Sequence, residues 1–214
     1  MENITKKMLE LDDMLFERLR EYGFKKKKKH VFSRKVGECL QHISILETKL
    51  KGKAEVHISV CVGFTYEKIN KVISFIQNEK YDKKWATANI NIASLMESRK
   101  PYGFYVSEET NLEPIIQDLV HNIEEYSLSF LDTCDNLEKY EKMLIEMDEK
   151  VRNSTYTLKR PEWNLLALSI LLNHNEYEEV LEDYKEDFKK NLSLMQVAKE
   201  KIKKFDVVKE SDLL

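Results

Sequence analysis

The sequence is poor in residues that interrupt regular structure. Its 214 residues include only five glycines and three prolines, a scarcity that favours long helices and strands over flexible linkers or low-complexity tails. It also lacks any apolar run of about 18 residues or more, the length that a membrane-spanning helix requires. Its opening, MENITKKMLELDD, mixes charged and apolar positions and has no apolar signal core. We therefore expect a cytoplasmic protein with no membrane partner.

Cysteines and catalytic motifs are equally scarce. The three cysteines, Cys39, Cys61 and Cys134, are odd in number and lack metal-type spacing, which favours packing roles over disulfides or a zinc site. The sequence contains no Gly-rich phosphate loop, no H-E-x-x-H and no G-x-S-x-G. It predicts no cofactor, and it favours a non-enzymatic role without deciding the question.

The first third of the chain changes from a helical to a strand period. Apolar residues recur at helical spacing from Met8 to Leu19, and Gly23 suits the left-handed end of that helix. Three alternating segments follow, HVFSRKV, CLQHISILETK and AEVHISVCVGF, separated by short turns at Gly37-Glu38 and Lys51-Gly52-Lys53. This pattern predicts a three-stranded antiparallel meander.

The alternation also assigns the two faces of the meander. Val56, Ile58, Val60 and Val62 form an apolar row, and the residues between them are polar or small. Pairing about the second turn places Ile43 beside Val60 and Ile45 beside Ile58. It also places His42 beside Cys61 and Ser44 beside Ser59. A helix over TYEKINKVISFIQNEK leads to a further strand in WATANINIAS, which repeats the split, and FYVS adds a short fifth strand.

The remainder of the chain is helical. Thr110 and Glu113 form a capping box ahead of a long amphipathic helix, and a second helix follows Asp135. The segment VRNSTYTLKRP breaks the pattern, and Pro161 suits the first turn of a new helix. The segment from Leu165 to Leu172 is apolar nearly all round and must be buried.

These elements predict an α+β protein with a mainly antiparallel sheet of four or five strands and helices on one face. We assign residues 1–150 to the sheet domain. Residues 160–214 form a helical hairpin docked on it.

The polar face of the sheet is the first candidate for function. Exposure alone explains one wet face on an antiparallel sheet. The alternative is a recognition surface, because small residues allow close approach and hydroxyls and amides supply hydrogen bonds. The partner-binding residues predicted there are Ser33, His42, Ser44, His57, Ser59, Asn89 and Asn91. A metal or nucleophile site formed by His42, His57 and Cys61 is a weaker alternative.

Two charged segments are further candidates. Acidic residues crowd positions 176–187 with two tyrosines among them, and this pattern suits either a solvated helix face or a surface for a basic partner protein. The partner-binding residues predicted there are Glu178, Glu182, Asp183 and Tyr184. The lysines Lys25–Lys29 could neutralise nucleic-acid phosphates. Charge beside a sheet edge also discourages pairing with another chain, so these lysines have a sufficient structural role.

A family resemblance rests on several of these features. Gly23-Phe24-Lys25, Phe32, the strand from Val56 to Phe64, and Phe130-Leu131-Asp132 resemble the bacterial domain of unknown function family 4304 over roughly residues 5–145. The resemblance implies an α+β sheet domain in a bacterial cytoplasm, in the neighbourhood of toxin and immunity systems. It implies no catalytic residue.

The sequence thus predicts a cytoplasmic interaction protein whose partner is another protein, and an immunity or inhibitor role is the sharpest form of this prediction. Two alternatives stay open. One is a nucleic-acid-associated protein using Lys25–Lys29, and the other is a small-molecule binder or enzyme using the polar sheet face.

Overall fold

The computed structural model describes residues 2–77, 79–98, 100–146 and 161–172. The helices are α1 (Glu2–Leu19), α2 (Glu67–Gln77), α3 (Leu112–Asn122), α4 (Ser129–Asp132), α5 (Leu137–Glu146) and α6 (Pro161–Leu171). The strands are β1 (Lys25–Lys28), β2 (Val31–Val36), β3 (Cys39–Lys49), β4 (Glu55–Thr65), β5 (Ala88–Asn91) and β6 (Phe104–Ser107). Short 3-10 turns cover Arg20–Tyr22 and Ile92–Ser94, and a π-helix covers Ile123–Leu128. The predicted α+β class is confirmed.

The sheet is antiparallel throughout. Its strand order is β1-β2-β3-β4-β5, and β6 also pairs with β4. Because β3 pairs along one edge of β4 from Val56 to Thr65, β5 and β6 share the opposite edge, each covering a different part of it. The chain leaves the sheet after Asn91 and joins it again at Phe104. Strands β5 and β6 thus form one edge strand that is interrupted by an excursion.

The pairing of β3 with β4 differs from the predicted register by two residues. Residues 50–54 connect the strands, so the connection is longer than the predicted three-residue turn. His42 consequently lies opposite Gly63 rather than Cys61, and Ile43 lies opposite Val62 rather than Val60. Because the shift is even, every side chain keeps its predicted face.

The lysine run adds a strand that the sequence pattern did not predict. The alternating pattern placed the first strand in HVFSRKV and left Lys25–Lys29 outside the predicted strands. Lys25–Lys28 instead pairs with that segment and forms the edge of a six-stranded sheet. The register shifts between Lys26 and Lys28, which marks an irregularity in this edge strand.

The core lies between the apolar face of the sheet and the helices. The apolar row of β4, from Val56 to Val62, is at most 2% exposed at its four alternate positions. The apolar stripe of α1 from Met8 to Leu19 is fully buried. Burying one such side chain stabilises the fold by about 1.5 to 3 kcal/mol. Gly23 then ends the first helical segment at a φ of 80°, as predicted.

The start of α3 corrects the predicted capping box. Asn111, not Thr110, is the N-cap residue, and its side chain accepts a hydrogen bond from the backbone N–H of Glu113. Thr110 Oγ1 instead accepts from the backbone N–H of Ser107 at 2.8 Å. The threonine therefore closes the turn after β6, one residue before the N-cap of α3.

Helix α6 is the predicted first arm of the C-terminal hairpin. It begins at Pro161 as expected, and residues 163–169 are all buried. It lies against α2 and α5, which explains why a segment this apolar occurs in the chain. The predicted second arm lies outside the described residues. None of the helices in the described ranges has the length and apolar character needed to span a bilayer.

Candidate functional site

The polar residues predicted to share one side of the sheet do so. Ser33 pairs with His42, and Ser44 pairs with Cys61. Asn89 and Asn91 continue these two rows on β5. We call this side the open face. Within the described strands it includes Lys25, Val31, Ser33, Lys35, Leu40, His42, Ser44, Leu46, Thr48, Glu55, His57, Ser59, Cys61, Gly63, Thr65, Asn89, Asn91, Tyr105 and Ser107.

Hydrophobic side chains also project from the open face. Of the six large hydrophobic residues exposed in the described ranges, three are found here, namely Leu40, Leu46 and Tyr105. Leu46 is 47% exposed and Tyr105 is 62% exposed. Most of the polar residues between them are half-buried. The open face is therefore a mosaic of apolar and small polar groups rather than a purely wet surface.

Leu46, His57, Ser59 and Tyr105 form one cluster at the β6 end of the open face, which we call the tyrosine cluster. Leu46 lies opposite Ser59, and His57 lies opposite Tyr105. The rings of His57 and Tyr105 are 5.1 Å apart between centroids at an angle of 57°, which is a favourable aromatic arrangement. Sequence reasoning identified His57 and Ser59 but missed Leu46 and Tyr105, because their pairing depends on the tertiary register.

Gly103 permits this arrangement. A β carbon at Gly103 would lie 2.6 Å from His57 Nε2 and 2.4 Å from the carbonyl oxygen of Ile58. Only glycine allows the chain that enters β6 to pass so close to β4. The imidazole of His57 therefore lies against the backbone at Gly103 and also contacts the ring of Tyr105, which gives the tyrosine ring a fixed neighbour on one side.

His42 occupies the other end of the open face and is an uncharged imidazole at neutral pH. Burial lowers the pKa of His42 to about 4, and a hydrogen bond with the Leu40 backbone opposes the shift only in part. Its Nε2 would lie 2.7 Å from a β carbon at Gly63, so the ring lies across a position where β4 has no side chain. His42 can therefore act as a hydrogen-bonding group without bringing a charge to the open face.

The three residues of the alternative metal or nucleophile site are not brought together. His57 lies opposite Thr48, and His42 is six residues away from Thr48 on β3, so the histidines are about 20 Å apart by strand geometry. Burial raises the pKa of the Cys61 thiol to about 11, which leaves little nucleophilic thiolate at neutral pH. Within the described ranges, no group of three or more His, Cys, Asp or Glu side chains could hold a metal ion.

Some of the predicted polar residues are used by the fold itself. Asn91 Oδ1 accepts from the backbone N–H of Ala93 at 2.9 Å and caps the 3-10 turn that follows β5. Ser33 is only 4% exposed, so a ligand would reach it less readily than it would reach Ser44 or Ser59. Fewer residues are therefore available to a ligand than the alternating pattern predicted.

The lysine run divides into paired and exposed side chains. Lys26 Nζ lies 2.6 Å from Asp13 Oδ1, and Lys29 Nζ lies 3.1 Å from Glu47 Oε2. Lys25, Lys27 and Lys28 are exposed. Two of the five lysines thus neutralise carboxylates of their own fold, which weakens the prediction of a phosphate-binding run.

Behind these lysines lies a buried ionic cluster that was not predicted from the sequence. His30 Nδ1 is 2.7 Å from Asp12 Oδ1, and His30 Nε2 is 3.0 Å from Glu47 Oε2. Asp12 is fully buried. A signal was available in the sequence, because Asp12 follows Met8 by four residues and so interrupts the apolar stripe of an amphipathic helix.

The partner-binding residues predicted in the acidic segment, Glu178, Glu182, Asp183 and Tyr184, lie outside the described residues. Their role stays a prediction. A scan against family models finds no match to this chain, and searches of curated proteins and of solved structures find none either. The resemblance to the family of unknown function therefore also stays a prediction.

Proposed function

We propose that this chain is a non-enzymatic, cytoplasmic protein-binding module that recognises a partner protein through its open face. The observation that carries the proposal is the tyrosine cluster, in which Tyr105 is 62% exposed while its ring stays in contact with His57. A tyrosine that is both exposed and restrained loses little conformational freedom when a partner covers it.

The composition of the open face supports a protein partner. Tyrosine is enriched among the residues that dominate binding energy, and Leu46 supplies apolar area beside it. Ser44 and Ser59 offer hydroxyls without bulk, so a partner backbone can approach closely. A surface of this kind resembles an interface with an apolar centre and polar surroundings.

The chemistry of the thiols supports the cytoplasmic part of the proposal. Cys39, Cys61 and Cys134 are all free and buried, as expected in a reducing compartment. Burial is the largest cause that raises the pKa of Cys39 and of Cys134, each to about 12. Packing therefore explains these residues without a catalytic role.

In its sharpest form the proposed module is an inhibitor or immunity protein that forms a stoichiometric complex with one partner. The open face carries mainly uncharged groups, so shape and hydrogen bonding would supply most of the specificity there. Any contribution from the acidic positions 176–187 would add electrostatic attraction to a basic partner.

The test uses the full-length protein and a matched pair of variants. Capture from extracts of the native cell identifies the partner, and calorimetry with the purified partner then gives affinity and stoichiometry. Leu46→Arg changes the open face, whereas Leu9→Arg makes the same substitution on α1 at a residue that is 42% exposed. Tyr105→Ala removes the exposed ring.

We expect Tyr105→Ala to weaken binding by about 30-fold, the effect of removing a residue worth roughly 2 kcal/mol. Leu46→Arg should also weaken binding, and Leu9→Arg should not. Unchanged affinity in both open-face variants, with a folded circular dichroism spectrum, would exclude the open face as the binding surface. A partner that proves to be a nucleic acid would refute the proposed class of ligand.

A further inference from the structure

Strand β1 lies at an edge of the sheet. It pairs with β2 on one side, and among the described residues no strand pairs with its outer side. An edge of this kind presents backbone donors and acceptors that another extended chain can use. The open face ends at the same edge, because Lys25 continues the row of Ser33 and His42.

This edge strand keeps a net positive charge, because only some of its lysines form ion pairs within the fold. Lys26 and Lys29 are neutralised by Asp13 and Glu47. Lys25, Lys27 and Lys28 are exposed and form no ion pair with another described residue, so among the described residues three positive charges remain along one short strand. An uncharged strand that paired here would have to desolvate these ammonium groups without neutralising them, and it would therefore be rejected.

The edge is also held rigidly. The turn that follows β1 is fixed to α1, because the backbone N–H of His30 donates to Asp12 Oδ2 at 2.8 Å. Lys26 connects the strand itself to α1 through Asp13. These two contacts restrain the strand and its turn before a partner binds, which lowers the entropic cost of binding.

We infer that β1 is a docking site for an extended acidic segment of a partner polypeptide, which adds to the sheet as a further strand. Backbone hydrogen bonds supply the part of the affinity that does not depend on the sequence of the bound segment. The lysines select segments whose carboxylates neutralise them. The lysines thus disfavour pairing with uncharged strands and favour pairing with acidic ones. This site is separate from the tyrosine cluster and involves a different chemistry.

A polyanion such as a single-stranded nucleic acid would use the lysine charge alone. It would ignore the backbone of β1, since phosphates need no partner strand. The length of β1 favours the polypeptide, because four residues span about 13 Å and match a short strand. The two occupants can be separated by modifying the backbone of the probe without changing its charge.

The probe is a fluorescein-labelled peptide of about eight residues in which glutamate alternates with threonine. Two further peptides carry N-methyl groups on alternate residues, one on the odd set and one on the even set. In an added strand only one set of N–H groups faces β1. We expect fluorescence anisotropy to show that one methylated peptide loses about tenfold or more in affinity while the other binds like the parent.

Matched charge reversals locate the site. The triple variant Lys25→Glu, Lys27→Glu and Lys28→Glu changes β1, and the triple variant Lys80→Glu, Lys83→Glu and Lys84→Glu makes the same change at exposed lysines elsewhere. We expect the first to weaken binding of the parent peptide by about tenfold or more, and the second by about threefold or less. Leu46→Arg, on the open face, should leave this binding unchanged.

Several results would overturn the inference. Equal binding of both methylated peptides would show that charge alone attracts the probe, and tighter binding of an oligothymidylate of equal charge would point to nucleic acid. No saturable binding of the parent peptide at about millimolar concentration would remove the site altogether. Equal losses in the two triple variants, with both still folded, would show that the attraction is not local to β1.

Discussion

One carboxylate of α1 holds both the backbone and the side chain of His30. Asp12 Oδ2 accepts from the backbone N–H of His30 at 2.8 Å, and Asp12 Oδ1 lies 2.7 Å from its Nδ1. His30 also has a positive φ of 62°, a conformation that is uncommon for a residue other than glycine. Asp12 therefore compensates for local strain in the turn between β1 and β2 and connects that turn to α1.

Removing the buried carboxylate should destabilise the protein strongly. Lys26 Nζ also lies 3.8 Å from Asp12 Oδ2. We expect Asp12→Ala to lower the free energy of unfolding by about 3 to 5 kcal/mol, because His30 and Lys26 would keep charge without this partner. Urea denaturation followed by circular dichroism measures the change. Asp13→Ala is the matched control, since Asp13 pairs with Lys26 at a side chain that is 72% exposed, and it should cost about 1 kcal/mol or less. Equal effects would contradict the assigned role.

The His30 cluster should make part of the stability depend on pH. Burial lowers the pKa of His30, but hydrogen bonds with Asp12 and Glu47 outweigh it, so the pKa is raised above its ordinary value of 6.5. A raised pKa in the folded state gives stability that is complete below about pH 6.5 and is lost as the pH rises through the folded pKa. The stability difference between wild type and His30→Gln should therefore shrink as the pH rises above 6.5. A difference that grew above pH 6.5 would show the opposite shift.

His42 should have the opposite dependence. Its folded pKa of about 4 lies below the ordinary value of 6.5. Between pH 6.5 and pH 4 the imidazole is therefore mostly protonated in the unfolded chain and mostly neutral in the folded protein. The stability that His42 contributes is present above pH 6.5 and is lost as the pH falls towards 4. Denaturation of His42→Gln beside wild type, from pH 7 to about pH 4, should show a smaller acid loss in the variant. Identical pH profiles would indicate that His42 is not buried.

Gly63 should not tolerate a side chain. A β carbon there would lie 2.3 Å from the carbonyl oxygen of Ala88 and 2.7 Å from His42 Nε2. We expect Gly63→Ala to cost about 1 to 3 kcal/mol of stability, because β5 must move away from β4. Gly52→Ala meets no atom within 4 Å and should cost about 1 kcal/mol, for its positive φ alone. Thermal denaturation compares the stabilities of the two variants. If Gly52→Ala were the less stable one, β4 and β5 would have to be farther apart at Gly63.

Tryptophan fluorescence should test the packing of α6. Trp163 is 1% exposed and Trp85 is 43% exposed, and the chain has no other tryptophan. The variant Trp85→Phe, which keeps only Trp163, should show blue-shifted emission that resists quenching by iodide. Trp163→Phe should leave an emission that iodide quenches readily. Ready quenching of Trp85→Phe would mean that α6 does not dock against α2 and α5.

The two faces of the sheet could be predicted from sequence because strand geometry is local. A period of two residues places Ile58 and Val60 on one side and His57 and Ser59 on the other, whatever the neighbouring strands do. Register needs more information, since it depends on how many residues the turn uses. The connection from β3 to β4 is longer than the turn residues indicated, so His42 faces Gly63 rather than Cys61.

By itself the sequence determined the α+β class, the strand faces and the burial of α6, because periodicity and composition act over short stretches of chain. Only the tertiary structure decided which residues meet across long separations. It places the ring of Tyr105 in contact with His57, and it places His30 between the carboxylates of Asp12 and Glu47. It also turned the lysine run into an edge strand, because pairing with β2 supplies hydrogen bonds that lysine propensity alone does not predict.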